Sequence, residues 1–372
     1  MILNTKTFYA VGQGGFYSER IFFEGKEFCV VYDCGAITKF PYDGPTKKLK
    51  QTIDDSGLEK MDCLVISHLD SDHINGLKLL KEYLGISKEV DPFVENKPLL
   101  ILPKPTIQDL YVFFLNASED DVNVFVDVLY NWRVLYITNE DVDQGRVSID
   151  EKNARVRQKS HKGEFFLFDK NEGWLLKFYV DCSKFDIKEK GDELEKLNCA
   201  SLDDVIKEFV KKGRGKKVEK GLKKAYEHVI KNCGKFDDKS KMNHSSLAMI
   251  SAPLNENIWT RNLDQENVPP FISWMNGDIS LKKDYEIDAI EKHFEKYLSL
   301  NIDFQIPHHG SHNNFSRLPK CKKKLRAYLW AGAENTHGHP SGTVLRKIQK
   351  ENIEFYWITE EDNHIIRQEI WV

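Results

Sequence analysis

The feature that most constrains the fold is the stretch Cys63-Leu-Val-Ile-Ser-His68-Leu-Asp70-Ser-Asp72-His73-Ile-Asn-Gly76, where an apolar run gives out into four side chains able to ligate a metal. Such a run must enter a core as a strand, which brings its polar end to an edge. His68 and Asp70 lie two residues apart, so in extended chain they point to the same side. Asp72 and His73 follow at once and can turn toward a second ion. Imidazole with carboxylate suits Zn2+, Mn2+ or Fe2+ better than Ca2+. Asp70 or Asp72 would also serve to cap a helix starting near Ile74, but capping accounts for one acid and not for the cluster.

With 372 residues and a formal net charge of -4, the chain can form one large domain, or two of ordinary size, with a sizeable core. No apolar stretch approaches the roughly 20 residues that span a bilayer. Residues 1–9 lack the apolar region of a signal peptide, so a cytoplasmic protein without membrane association is expected. The seven cysteines (Cys29, Cys34, Cys63, Cys182, Cys199, Cys233 and Cys321) are odd in number and form no Cys-x-x-Cys pair. That pattern argues against a disulfide framework and a zinc ribbon.

Strand signals open the chain at 7–11, 17–23 and 27–32, separated by Gly12-Gln-Gly14-Gly15 and Glu24-Gly25-Lys26, with Asp33-Cys-Gly35 ending the third strand. Helices are expected at 47–58 and 74–83, giving the mixed order of a layered α/β domain. From 90 to 241 the chain is densely charged, with strand signals at 99–102, 164–168 and 174–180 and a helix at 120–132. Between 201 and 232 the apolar spacing fits two amphipathic helices around the basic Lys212-Gly-Arg-Gly-Lys-Lys217, readable as a solvated hairpin or as a nucleic-acid contact. Strands are expected again at 246–250, 271–275, 302–306, 327–330, 355–359 and 364–371, with helices at 285–300 and 343–350. There is no internal repeat.

Four of these strands close on acid, histidine or glycine: at Asp33, at His68 to His73, at Gly277-Asp278 and at His308-His309. Histidine is also concentrated between His308 and His339. The set Asp33-Cys-Gly, His68-x-Asp-x-Asp-His73, Gly277-Asp278, His308-His309-Gly-Ser and Gly338-His339-Pro340 resembles the metallo-β-lactamase superfamily. More narrowly, it is similar to the hydrolase domain of ComEC-type DNA-uptake competence proteins. Their early Val-Gly-Gln-Gly turn is matched by Val11-Gly12-Gln13-Gly14, and their Asn-x-Ser-Leu strand start is approximated by Asn243-His-Ser-Ser-Leu247. The match covers about 7–85 and 242 to the C-terminus. It implies an αββα sandwich, two mixed sheets between helical layers, as one domain over 1–372, with 90–241 as an inserted elaboration of mixed helix and strand. The competence proteins carry membrane helices around this domain and this sequence has none, so transport is not implied.

Carried over residue by residue, the resemblance implies that Asp33 steadies a histidine ligand from behind. His68 and Asp70 would hold one metal, Asp72, His73 and His308 a second, and Asp278 would bridge them. His309, His337 and His339 would face the substrate, His309 or His339 protonating the leaving oxygen and Ser311, Asn335 and His337 binding the substrate. The wider superfamily has a histidine where this chain has Asp70, so Mn2+ fits as well as Zn2+. For the superfamily's further histidine on the first metal the candidate is His244.

Such a two-metal site suits phosphodiester hydrolysis. A phosphodiesterase or nuclease on DNA or RNA is the leading expectation, supported by the basic runs at 212–217 and 320–326. The same chemistry on a small or cyclic nucleotide is a second reading, which a closed neutral pocket would favour. A third is a non-catalytic metal-binding sensor or scaffold, with the inserted region docking a protein partner.

Overall fold

The computed structural model describes residues 2–36, 44–86, 97–105, 109, 113, 117–137, 148–149, 164–168, 173–180, 246–254, 260–261, 267–268, 271–333 and 335–371. The apolar runs form two facing sheets. The first contains β1 (Ile2–Phe8), β2 (Gly14–Phe23), β3 (Lys26–Ala36), β4 (Cys63–Val65), β5 (Leu99–Pro103), β6 (Arg133–Ile137) and β7 (Ser148–Ile149), joined by β11 (Thr260–Arg261), β12 (Asn267–Val268) and β17 (Ile365–Trp371). The second contains β8 (Glu164–Phe168), β9 (Gly173–Val180), β10 (Leu247–Pro253), β13 (Phe271–Met275), β14 (Asn301–Gln305), β15 (Leu325–Trp330) and β16 (Glu354–Ile358). Their orders are β12-β11-β17-β1-β2-β3-β4-β5-β6-β7 and β16-β15-β14-β13-β10-β9-β8.

Each sheet has an antiparallel part and a parallel part. Strands β3 to β6 run parallel in the first, and β13 to β16 in the second. Parallel strands read as unbroken apolar runs because both faces are covered, and β4 and β5 are buried throughout. Helices α1 (Gly44–Asp54), α2 (Ser71–Ile74), α3 (Leu77–Tyr83) and α4 (Glu119–Asn131) accompany the first sheet, and α5 (Asp284–His293) and α6 (Gly342–Lys350) the second. The inner faces meet through Phe8 stacked on Tyr328 at 3.8 Å, Tyr17 hydroxyl on Ser273 Oγ at 2.7 Å, and Trp330 Nε1 donating to Tyr9 O at 2.7 Å. The fold is an αββα sandwich.

Three boundaries differ from the sequence expectation for tertiary reasons. β3 does not end at Asp33 but runs to Ala36: Phe16 pairs with Cys34 and Tyr17 with Tyr32, so Asp33 is the extra residue of a bulge, at φ 55°. The helix expected over 74–83 is two, broken at Asn75-Gly76, where Gly76 N donates to Cys34 O at 2.8 Å; a Cβ at Gly76 would stand 2.6 Å from Cys34 Sγ. The helix expected over 285–300 ends at His293 and continues as a 3-10 turn, Glu295–Ser299. Of the 90–241 stretch, β5 and β6 belong to the first sheet and β8 and β9 to the second. The helices expected over 201–232, the basic Lys212-to-Lys217 turn and His244 lie outside the described residues. Among the described residues no helix is long and apolar enough to cross a membrane.

Candidate metal centre

The C-terminal ends of the two parallel runs meet at one edge of the sandwich, where open α/β sheets place their sites. From the first sheet come Asp33 on its bulge and Ser67 to His73 after β4. From the second come Asn276 to Asp278 after β13, His308 to Gly310 after β14, and the histidine loop after β15.

Asp33 is fully buried. Its Oδ1 accepts Ser67 N at 2.7 Å, and its Oδ2 accepts Ser67 Oγ and His73 Nδ1, each at 2.7 Å. Ser67 has one hydroxyl proton and gives it to Asp33, so its oxygen, 2.9 Å from His68 Nδ1, acts as acceptor for that ring. Both histidines thereby carry their proton on Nδ1 and turn Nε2 toward the centre. His309 is set the same way, with Nδ1 donating to Trp330 O at 2.9 Å and Nε2 standing 3.0 Å from Asp72 Oδ2. A neutral ring so held presents a lone pair to a carboxylate lone pair, and that pairing calls for a proton or a cation between them.

Asp278 lies on a turn that tolerates little change. Gln305 Oε1 accepts Asn276 N at 2.8 Å and Gly277 N at 3.0 Å, and Asp278 N donates to Ser246 Oγ at 3.0 Å. Gly277 sits at φ 53°, and a Cβ there would meet Ser67 Oγ at 2.5 Å, so glycine is required. Asp278 Oδ1 faces His73 Nε2 at 3.2 Å and His309 Nε2 at 3.7 Å; its Oδ2 faces His308 Nδ1 at 3.1 Å and His68 Nε2 at 3.8 Å.

The ligand atoms form two overlapping groups, His68 with His73 and Asp278, and Asp72 with His73 and His309. The buried His68 Nε2, His73 Nε2 and Asp278 Oδ1 have no hydrogen-bond partner. Desolvated imidazole nitrogens and a carboxylate oxygen aimed at a common space fit a divalent metal. The electrostatics agree. Burial alone would lower His68, His73 and His309, yet the nearby carboxylates hold all three above the usual histidine range. Burial alone would raise Asp72 and Asp278, yet the surrounding imidazoles hold both below the usual carboxylate range. Negative charge that draws protons onto buried histidines would equally hold a dication.

The imidazole brought to Asp72 and His73 is that of His309, not His308 as expected. Residues 308, 309 and 310 all have left-handed backbone, at φ 47°, 52° and 75°, and this reversal at the end of β14 turns the second histidine inward. His308 stays on the outer side, partly exposed, its ring 5.7 Å from that of His339. Asp70 lies at the rim, with Oδ2 3.5 Å from His68 Nε2, and belongs to neither three-residue group. Asn335, expected to bind substrate, instead clasps its own loop: its amide donates to Gly332 O at 2.8 Å and to His339 O, and its oxygen accepts His337 N and His339 N at 3.2 and 3.0 Å. His337 is exposed, whereas burial beside His309 and His308 lowers His339 to about 4. Ser311 is buried, with Oγ accepting Asn313 N at 3.3 Å.

Sequence reasoning missed Ser67 and Gln305. Each is a polar residue at the end of a buried strand or just past it, and that position is itself a signal of a buried hydrogen-bonding task. The basic run at 320–326 is close to the histidine loop in sequence only. It precedes and enters β15 at its N-terminal end, opposite the metal-facing edge, where Lys320 pairs with Asp288 and Arg326 with Asp303.

No family model matches the chain, and no curated protein does. Among solved structures, the chain is similar to unliganded PDE1 from yeast, with a TM-score of 0.37 and 10% identity over 100% of both chains. It is also similar to a long form RNase Z from yeast, with a TM-score of 0.30 and 12% identity, covering 88% of this chain and 40% of that one. At such scores neither likeness supplies a residue-by-residue correspondence.

Proposed function

We propose that the chain is a metal-dependent phosphodiesterase acting on nucleic acid through a dinuclear site. The observation that supports this reading is Asp278 set between histidines, Oδ1 toward His73 and His309 and Oδ2 toward His68, with three buried ligand atoms lacking a protein partner. Asp72, His73 and His309 would hold one ion and His68 with Asp70 the other, Asp278 facing both groups; Zn2+ and Mn2+ both suit these donors. A bound ion pair would supply Lewis acidity, lowering the pKa of water and offsetting charge on the attacking and departing oxygens. The chain's own residues do the rest. Asp33 and Ser67 fix the ring tautomers, and the Asn335 clasp holds the histidine loop. His308 and His339 line the outer side, where burial keeps both rings toward the neutral form and they would orient the phosphate by hydrogen bonding.

The test is hydrolysis by protein of measured Zn2+ or Mn2+ content. Substrates are bis(p-nitrophenyl) phosphate, labelled single- and double-stranded DNA and RNA, and a cyclic dinucleotide. Cleavage is expected, and Asp72→Ala should lower it by at least ~100-fold. Inactivity on every substrate with metal bound would overturn the reading. Activity on the cyclic dinucleotide alone would move the substrate to small nucleotides.

A further inference from the structure

The segment that follows the Asp278 turn, Lys282-Lys283-Asp284-Tyr285, presents an exposed aromatic ring with two lysines preceding it. After Asp278 the chain enters α5 within six residues: Leu281 is buried, Lys282 and Lys283 are exposed, and Tyr285 in the first helical turn is 55% exposed. Two other exposed aromatics among the described residues are less so, Tyr83 at 37% and Trp357 at 41%. Lys283 Nζ lies 5.5 Å from the centre of the Tyr285 ring. The segment is held firmly to the site. Leu281 N donates to Asn314 O at 2.9 Å, Ser316 N donates to Leu281 O at 2.6 Å, and Asn314 Nδ2 donates to Asp278 O at 3.4 Å. The segment leading into α5 is therefore tied to the turn bearing Asp278 and to the loop leaving His308-His309.

An outward first-turn position gains little burial, and tyrosine is a weaker helix former than alanine or glutamate. An exposed ring with an ammonium 5.5 Å from its centre, at the start of the helix that follows the Asp278 turn, has the chemistry to bind an unpaired nucleotide, with the ring on the base face and the lysines on phosphates. In a duplex the base faces are already stacked. We infer that Tyr285, with Lys282 and Lys283, is a stacking platform that selects single-stranded nucleic acid as the substrate of this site. The inference rests on the phosphodiesterase reading. Tyr285 acts as a positioning residue and touches no reacting atom.

The experiment compares wild type, Tyr285→Ala, Tyr285→Phe, Lys282→Ala/Lys283→Ala and Tyr83→Ala, all metal-loaded. The readouts are the Kd of a labelled single-stranded oligonucleotide by anisotropy, and KM and kcat on that oligonucleotide and on bis(p-nitrophenyl) phosphate, which has no base to stack. Tyr285→Ala should raise the oligonucleotide Kd and KM about tenfold, leaving kcat on the small ester unchanged. Tyr285→Phe should restore binding, Tyr83→Ala should change nothing, and the double lysine variant should flatten the salt dependence. An oligonucleotide Kd unchanged in Tyr285→Ala, or duplex bound as well as single strand, would overturn the platform. Failure of wild type to hydrolyse the small ester would instead overturn the phosphodiesterase reading, and the Kd comparison would still decide the platform.

Discussion

Asp33 meets three donors with two oxygens, and no neutral isostere can do the same. An asparagine at 33 would turn an NH2 toward Ser67 N in one orientation, or toward both Ser67 Oγ and His73 Nδ1 in the other. Asp33→Asn should therefore unsettle the tautomer of His73 and weaken metal binding roughly 10- to 100-fold, as loss of a ligand's supporting partner does. Competition with a chelator measures this, and circular dichroism checks that the fold persists; unchanged affinity would remove Asp33 from the site. The neighbouring histidines separate by a different measurement. If His309 is the ligand and His308 faces the substrate, His309→Ala should lose one of two ions per chain, whereas His308→Ala should keep both and turn over more slowly. Metal content by atomic emission, beside the rate on a small phosphodiester, tells the two apart. The sequence alone cannot, because the choice between adjacent histidines is made by three successive left-handed residues that only the packed end of β14 imposes.

Among elements, what could be read in advance was where strands end. β4 and β13 are largely apolar and β14 alternates apolar with polar residues; each is followed by acid or histidine, and all three do converge on the centre. What could not be read depends on neighbours in space. The bulge at Asp33 needs β2 alongside, the break at Asn75-Gly76 comes from close approach to Cys34, and the 320–326 run is remote from the site because β15 separates its two ends. Helix α5 makes a testable contact at its far end, where His293 Nε2 donates to Phe178 O of β9 at 2.9 Å. Burial, with the Lys177 charge nearby, lowers this histidine to about 4 from its ordinary 6.5. The folded pKa is depressed, so between about 6.5 and 4 the unfolded chain binds the extra proton. Its contribution is complete above the upper value and is lost as pH falls through that window. At pH 5 the loss is on the order of 1–2 kcal/mol. Urea unfolding of His293→Gln at pH 7.5 and pH 5 should show a correspondingly shallower fall in stability than wild type; an identical fall in both would place the acid sensitivity elsewhere.

At the scale of the whole molecule, the centre exists only while two sheets hold their facing distance, since Asp72 and His73 follow the first and Asp278 and His309 the second. Apolar packing supplies most of that adhesion without direction, and a buried ionic tie supplies register. Lys6 on β1 donates to Asp303 Oδ2 on β14 at 3.0 Å and to Phe271 O, with both charged side chains fully buried. Arg326 on β15 donates to both oxygens of Asp303, at 2.6 and 2.9 Å, and lies 3.5 Å from the centre of the Phe271 ring. Truncating one member of such a group leaves an unpaired buried charge, at a cost of about 3–5 kcal/mol. The members are not equivalent. Lys6→Met leaves Asp303 with its two-pronged Arg326 and should fall near the lower figure. Asp303→Leu takes away the carboxylate that Lys6 and Arg326 share, leaving the buried Glu19 as the nearby acid for Lys6, and should fall near the upper one or prevent folding. The Lys6→Met/Asp303→Leu pair also removes the ammonium that lost this partner, so it should be more stable than Asp303→Leu alone, a coupling that urea unfolding of all three variants measures. Strict additivity would mean that the two charges do not sense each other and that sheet register is set by apolar packing alone. If coupling is found, metal affinity should follow the same order as stability, because a slip between β1 and β14 moves His73 and Asp278 apart.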